Sequence, residues 1–347
     1  MTDRPEPMTE ADLEALARAA FRGLGLPEED AALASSVLVL ADLFGVTTHG
    51  VARIVAYGER MALGGIATRP DIAVERVAPS LIRVDGDNGV GPLVGRRALD
   101  AAMEAAAETG MAMALARGSN HFGPIAPYAY LAARKGFATI IGSNATTTIA
   151  PWGGRDTRLG NNPMGFGFPR PGGDPIMLDM AMSVAARAKI RKAKDAGQPI
   201  PEGWAADADG RPTTDPAEAL KGFLLPVGGH KGYGLALMVD MLAGLMSGAA
   251  YLTRVSSWSE NPERAQDLGH FFIVFDAGRL MPEAELVRRV DDFSAIIHDT
   301  PAADPSRPVM LPGEIELASM ARQRREGIAI PAELRRKLEA LAAAGVS

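Results

Sequence analysis

The chain has 347 residues, 47% hydrophobic and 22% charged, which fits one large domain or two ordinary ones and not a disordered polymer. With 36 Lys plus Arg against 42 Asp plus Glu, the net charge of −6 lacks the concentrated basic footprint of a nucleic-acid surface. There is no cysteine, so disulfides, thiolate metal sites and cysteine nucleophiles are excluded; a reducing compartment carries no penalty, and a cytoplasmic protein is expected.

In chain order, Met1 to Ala20 is charged and holds no apolar run of the kind a secretory signal needs. Thr9 is positioned to cap a helix that starts at Glu10, and Leu13, Leu16, Ala17 and Ala20 follow at helical spacing. Gly23 to Pro27 ends it, and a second helix is predicted over Glu28 to Phe44. After Gly45 a third helical pattern runs through His49, Arg53 and Tyr57 to Leu63. Ser80 to Val84 reads as a strand and Gly95 to Thr109 as an alanine-rich helix. Ala112 to Ala116 and Ala138 to Ser143 read as strands around a helix at Pro127 to Lys135.

Asn144 to Gly173 is rich in Gly, Pro, Asn and Thr and is expected to form ordered, irregular loops, the usual place for a site. Pro175 to Met180 is a strand candidate, Val184 to Lys194 a basic helix, and Asp195 to Gly222 a polar surface excursion. A long helix is predicted at Tyr233 to Ser247. The apolar stretch Gly232 to Leu252 carries Asp240 and four glycines, so it reads as a buried helix and not a membrane span. A strand at Phe271 to Phe275, a helix at Pro282 to His298, a proline-rich crossing at Pro301 to Pro312 and a C-terminal helix from Pro331 complete the chain.

Four stretches carry candidate chemistry. The first, Gly86 to Gly95, follows a strand and opens a helix like a pyrophosphate-binding turn. Its spacing is G-x-G-x-x-x-G, however, Pro92 removes an N–H, and no acidic residue ends a second strand about twenty residues on, so a tight turn is preferred. In the second, Thr47-Thr48-His49-Gly50-Val51-Ala52-Arg53 with Tyr57, a continuous helix would align His49, Arg53 and Tyr57 on one face. That stripe suits a small hydroxy carboxylate; a solvated polar face is the alternative. The third, Ser119-Asn120-His121-Phe122-Gly123, places a histidine after a strand, suited either to proton exchange with a hydroxyl or to a buried structural bond. The fourth, Gly228-Gly229-His230-Lys231-Gly232-Tyr233-Gly234, opens the long helix. Glycines and a lysine at a helix N-terminus make an anion site, or simply a glycine-rich helix entry. The five histidines include no pair at helical ligand spacing, so no metal site is expected.

Taken together, Thr48 to Arg53, Ser119 to Gly123, Gly160-Asn161-Asn162-Pro163, Leu178-Asp179-Met180-Ala181 and Gly229 to Gly234 resemble the malate/L-lactate dehydrogenase family. This non-Rossmann group also includes sulfolactate, ureidoglycolate and diketogulonate oxidoreductases and cyclic imino acid reductases. The likeness spans roughly Thr9 to Ile330, with the motifs in family order. It implies an α/β (mixed α+β) fold with a non-Rossmann cofactor domain whose mixed, largely antiparallel sheet is flanked by helices. A mainly helical second domain is implied from the N- and C-terminal segments, residues 1–75 plus 300–347, with 76–299 as the NAD(P)-binding domain. It further implies a homodimer binding NAD or NADP in an extended form.

By the same resemblance His121 matches the catalytic histidine, and Thr48, His49 and Arg53, with Tyr57 nearby, match the substrate-contact segment. Asn144, Ala145, Thr146, Asp179, Met180, Ala181, His230 and Lys231 match cofactor contacts. The family usually has serine where Thr48 stands; the hydroxyl is kept and a methyl is added. The implied activity is interconversion of a small 2-hydroxy acid and its 2-keto acid by hydride transfer. Reduction of a cyclic imino acid is the alternative, and a non-catalytic ligand-binding homologue a remote one. The basic run Arg187, Lys189, Arg191, Lys192 and Lys194 suits either a 2′-phosphate or a solvated helix face.

Overall fold

A computed structural model describes residues 7–344. A short strand β1 (Pro7–Met8) precedes α1 (Glu10–Gly23), α2 (Glu28–Leu43), a 3₁₀ turn at Thr47–His49, and α3 (Ala52–Ala62). Next come β2 (Ala73–Ala78), β3 (Leu81–Asp85), α4 (Gly91–Thr109), β4 (Met111–Ser119), α5 (Ala126–Ala133) and β5 (Phe137–Ser143). Short strands β6 (Thr147–Ile149) and β7 (Leu159–Gly160) lead to β8 (Met164–Phe168), β9 (Ile176–Met180) and α6 (Arg187–Asp195). β10 (Ala205–Ala206), β11 (Pro212–Thr213), α7 (Pro216–Lys221) and β12 (Phe223–Leu224) precede α8 (His230–Asp240), which continues as a π-helical turn over Met241–Met246. β13 (Leu268–Asp276), α9 (Glu283–His298), α10 (Glu314–Glu326), β14 (Ile328–Ala329) and α11 (Ala332–Ala344) follow.

Seven strands form the main sheet in the order β2-β3-β4-β13-β5-β8-β9. Every neighbouring pair in it is antiparallel except β3 and β4, which run parallel with α4 as their crossover. The expected mixed, largely antiparallel sheet flanked by helices is therefore what the chain forms. A second sheet, β11-β10-β12-β6-β7, gathers the short strands.

Period-two alternation sorts the central strand β13 between two cores. His270, Phe272 and Val274 are buried, and Phe272 and Val274 join the large core with α4 and α5. Phe271 joins Val239 and Ala243 of the α8 arm in a smaller core on the other side. Alanine on both partners brings α4 close to the sheet: Ala112, Ala114 and Ala116 of β4 meet Ala98, Ala102 and Ala106 in one buried cluster. The N-terminal helices add an outer layer, and that core runs without a break from Leu13, Phe21 and Leu38 into Leu93 and Tyr128. Gln323 of α10 caps the end of α2, donating to the carbonyls of Asp42 (2.7 Å) and Leu43 (2.9 Å). Among the described residues no helix is long and apolar enough to cross a membrane.

Two expectations change. The single helix through His49, Arg53 and Tyr57 is interrupted, because Gly50 is extended and separates the 3₁₀ turn from α3. The cause is Asp42, whose buried carboxylate accepts the Val51 N–H at 2.8 Å and fills the space a side chain at 50 would need. Secondly, the loop expected over Asn144 to Gly173 contains β8, a full strand of the main sheet. Its sequence, Met-Gly-Phe-Gly-Phe, reads as loop because of its glycines. Each glycine is needed for close packing: a Cβ at 165 would overlap Ile125, and one at 167 would crowd Ala129, both from the α5 arm.

The turn from β3 into α4 is closed to ligands. Asn120 Nδ2 donates to Asn88 Oδ1 (2.9 Å) and to the Gly89 carbonyl (3.0 Å), and a Cβ at Gly91 would overlap the carbonyls of Asn120 and His121. Gly91→Ala should therefore destabilise the protein by about 1–3 kcal/mol through overpacking. Gly234→Ala, which meets nothing within 4 Å, is the contrast and should be neutral or stabilising by up to about 1 kcal/mol. Denaturant melts of the two variants check the ordering.

Candidate active site

The catalytic candidate His121 lies in the loop between β4 and α5. Its N–H donates to Gln266 Oε1 (3.3 Å), and the Gly118 N–H ahead of it donates to Asp267 Oδ1 (3.0 Å). Tyr57 from α3 reaches it from beneath, fully buried, with its hydroxyl 2.9 Å from His121 Nδ1 and 3.1 Å from the His121 carbonyl.

A phenol has one proton to donate. All three groups are satisfied in one way only: Tyr57 O–H donates to the carbonyl and accepts from Nδ1–H. That network assigns His121 the Nδ1–H tautomer and leaves the Nε2 lone pair bare. Tyr57, expected among the substrate contacts, thus directs its hydroxyl to His121.

The 3₁₀ turn supplies the facing wall. The His49 ring lies 5.2 Å from that of His121, centroid to centroid, and Thr48 Oγ1 is 2.9 Å from His49 Nδ1. Arg53 Nε donates to the Thr48 carbonyl at 2.8 Å, which braces the turn and leaves the two terminal nitrogens of the guanidinium for other partners. Among the described residues no carboxylate forms an ion pair with Arg53. Its charge is felt nearby: burial first and Arg53 second push His49 down to about 4. Burial and then Arg53 likewise hold His121 well below the usual histidine range. Both imidazoles are neutral at pH 7, beside an uncompensated cation. Asp42, under the turn, is raised to about 7 by burial, against the lowering effect of its bond from Val51.

Sequence reasoning missed Trp258, Arg60 and Gln266. The Trp258 ring packs edge-on against Tyr57 (5.9 Å) and His121 (6.1 Å). Arg60, buried in α3, lies 4.7 Å over the Trp258 ring and donates to its carbonyl at 2.7 Å. Arg60 was legible as a charge on the buried side of α3; nothing in the sequence pairs it with a tryptophan 198 residues on.

The cofactor candidates fall in three places. Asn144 is buried, its amide donating to Ala250 O (2.7 Å) and Asp240 Oδ1 (3.2 Å) and accepting from Gly269 N (3.0 Å). Any ligand contact by Asn144 is thus left to its backbone, with Ala145 and Thr146 half-buried beside it. Asp179 Oδ2 caps α5, accepting from Ile125 N (2.7 Å) and Ala126 N (3.0 Å), and Met180 and Ala181 continue alongside, half-buried. His230 and Lys231 open α8 after Gly228 and Gly229, whose φ of 61° and 65° turn the chain into the helix. The Trp152 ring lies 5.8 Å from that of His230, and Lys231 is exposed with no ion-pair partner among the described residues.

These residues fit a nicotinamide dinucleotide. Free N–H groups at the start of α8 and the Lys231 charge suit its pyrophosphate. Near these segments in the chain, the buried hydroxyls of Thr148 and Ser183 have no hydrogen-bond partner among the described residues.

Two outcomes follow from this geometry. Tyr57→Phe frees the imidazole to rotate or change tautomer and should lower kcat about tenfold or more with KM little changed. A rise confined to KM would instead make Tyr57 a substrate contact. In alcohol oxidation His121 must be neutral, so activity is present above its pKa and lost below it. A bound carboxylate offsets the Arg53 field and raises that pKa. The acid limb of kcat should therefore lie at higher pH than that of kcat/KM, and Arg53→Gln should move the kcat/KM limb upward. Rate profiles between pH 4 and 8 read both limbs.

The sequence profile of malate/L-lactate dehydrogenases matches residues 8–339. An L-sulfolactate dehydrogenase of Methanocaldococcus jannaschii is 38% identical, covering 92% of this chain and 91% of its own. A malate dehydrogenase of Pyrococcus horikoshii is 36% identical over 92% and 90%. A Δ1-pyrroline-2-carboxylate reductase of Ancylobacter novellus is 34% identical over 99% of both chains. The solved M. jannaschii sulfolactate dehydrogenase superposes with a TM-score of 0.89 at 35% identity, covering 98% of each chain. The chain belongs to the malate/L-lactate dehydrogenase family.

Proposed function

We propose that this protein interconverts a short 2-hydroxy acid and its 2-keto acid, with His121 Nε2 exchanging the hydroxyl proton and Arg53 holding the carboxylate. As a family member it is an NAD(P)-dependent oxidoreductase acting on CH–OH donors. The observation that carries the residue assignment is the uncompensated Arg53 guanidinium facing a neutral histidine whose inner nitrogen is already committed. A substrate carboxylate supplies the missing counter-charge, and its neighbouring hydroxyl meets the bare nitrogen.

In the oxidative direction Arg53 binds the carboxylate through its free nitrogens, a planar fork that a lysine does not reproduce. Thr48 and His49 add hydrogen bonds from the turn, and the added methyl of Thr48 narrows the pocket. Trp258 shields the far side of the imidazole from water. The α8 entry and the Asn144–Thr146 and Asp179–Ala181 segments would hold the dinucleotide, which when bound would supply hydride acceptance. Nδ1–H stays bonded to Tyr57 throughout, so the positive charge that arrives with the proton on Nε2 is stabilised by the Nδ1–H bond to the buried phenol oxygen. Dehydrogenase chemistry of this kind belongs in a cleft between the helical segments (1–75 with 300–347) and the sheet unit (76–299), which we take as the two domains.

The same clamp serves reduction of a cyclic imino acid, a reading that the reductase among its relatives keeps in play. We further infer a cytoplasmic homodimer that binds neither membrane nor nucleic acid. A groove of about 650 Å³, with Phe168, Ile176, Leu286, Phe293 and Ile296 in its wall beside Arg288, Arg289 and Asp292, is one face that a second copy would cover.

Oxidation of NADH and NADPH is the test, measured against pyruvate, oxaloacetate, sulfopyruvate, 2-ketoglutarate and Δ1-piperideine-2-carboxylate. Turnover of a keto acid is expected, abolished by His121→Ala while NADH still quenches tryptophan fluorescence. Turnover of the imine alone replaces the substrate class. Quenching without turnover of any substrate leaves a binding protein.

A further inference from the structure

His270 is a fully buried histidine on the central strand β13 that the proposed reaction does not use. Its Nε2 lies 2.7 Å from Ser119 Oγ and its Nδ1 2.8 Å from Ser143 Oγ. Its ring stacks on Phe122, 4.2 Å away and tilted by 6°. The two serines are the last residues of β4 and β5, the strands on either side of β13. Ser119 is followed by Asn120 and His121, and Ser143 by Asn144 and the cofactor segment. A bulge at Leu268–His270 in the β13–β4 ladder lets the ring, whose backbone is opposite Ala116, reach Ser119.

The hydrogens order themselves. Ser143 O–H donates to the Asn144 carbonyl at 2.9 Å and so accepts from Nδ1–H; Nε2 then accepts from Ser119 O–H. Ser119 has only a weaker alternative, its own neighbour's carbonyl at 3.3 Å. The ring is neutral, pushed down to about 3 by burial, so this chain does not reverse or break by protonation near neutral pH.

We propose that His270 is a positioning residue that locks the His121 loop and the Asn144 loop at a fixed separation, setting the distance between base, substrate carbon and nicotinamide. The inference rests on His121 being the base. Hydride transfer requires reacting atoms about 3–3.5 Å apart, and a shift of about 1 Å costs on the order of a hundredfold in rate. A rigid, neutral, bidentate link from the middle of the sheet meets that demand, whereas an apolar residue would leave the two buried serines bonded only to nearby carbonyls, with nothing joining one to the other.

The experiment compares Ser119→Ala, Ser143→Ala, His270→Phe and the Ser119→Ala/His270→Phe double variant, with His121→Ala alongside. Phenylalanine keeps the ring stack on Phe122 and removes both hydrogen bonds. Ser119→Ala should lower kcat about tenfold and shift the acid limb of its pH profile with cofactor Kd unchanged. Ser143→Ala should weaken cofactor binding several-fold and leave the acid limb in place. His270→Phe should do both, and adding Ser119→Ala should cost kcat nothing more, since one link is already broken. Rates are referred to active sites titrated by tryptophan quenching, so a smaller folded fraction does not count as an effect. If per-site kcat, acid limb and cofactor Kd all stay within twofold of the parent, or if both serine variants change the same parameter, the positioning role is overturned. If His121→Ala retains full turnover, the base assignment fails instead, and the positioning role falls with it.

Discussion

The contact between Tyr57 and His121 is the constraint on which the site depends. It joins α3, in the helical layer, to the loop that leaves the sheet, and does so through three polar groups that are satisfied in a single arrangement. Burial raises the phenol well above its ordinary range, so Tyr57 remains a neutral donor at any working pH. A base of defined tautomer results from packing alone.

The electrostatics follow from the same arrangement. Bringing α3 against the catalytic loop also brings Arg53 near two imidazoles, and burial with a nearby cation keeps both neutral. The guanidinium has a carbonyl partner in Thr48 but no carboxylate among the described residues, and the proposed anionic substrate would supply that counter-charge. Under the proposed roles, substrate affinity and the basicity of His121 are coupled: a carboxylate bound at Arg53 offsets the field that lowers the histidine. Asp42 completes the arrangement from below, holding the Thr47–His49 turn through Val51.

Much of this was legible in the sequence, for identifiable reasons. Helix α1 announces itself by its Thr9 cap and periodic apolar residues, α4 by its run of alanines, and β13 by its run of Phe, Ile and Val. His121, His49 and Arg53 were singled out as chemistry-bearing types in glycine-flanked segments, and the structure brings them together. Three things escaped. Strand β8 was hidden by glycines that exist for its packing under α5. The break at Gly50 depends on Asp42, eight residues earlier, whose role only the folded chain defines. The walls of the site, Trp258 with Arg60 and the Ser119–His270–Ser143 link, are contacts between residues far apart in the chain, and no local pattern encodes them.

The central claim, that the fold presents a neutral His121 with its proton on Nδ1, is tested most directly by ¹⁵N NMR of the histidine side chains in the cofactor-free protein at pH 7. The account predicts a protonated Nδ1 and a bare Nε2 for His121. A signal from Nε2–H, or from an imidazolium, would contradict it.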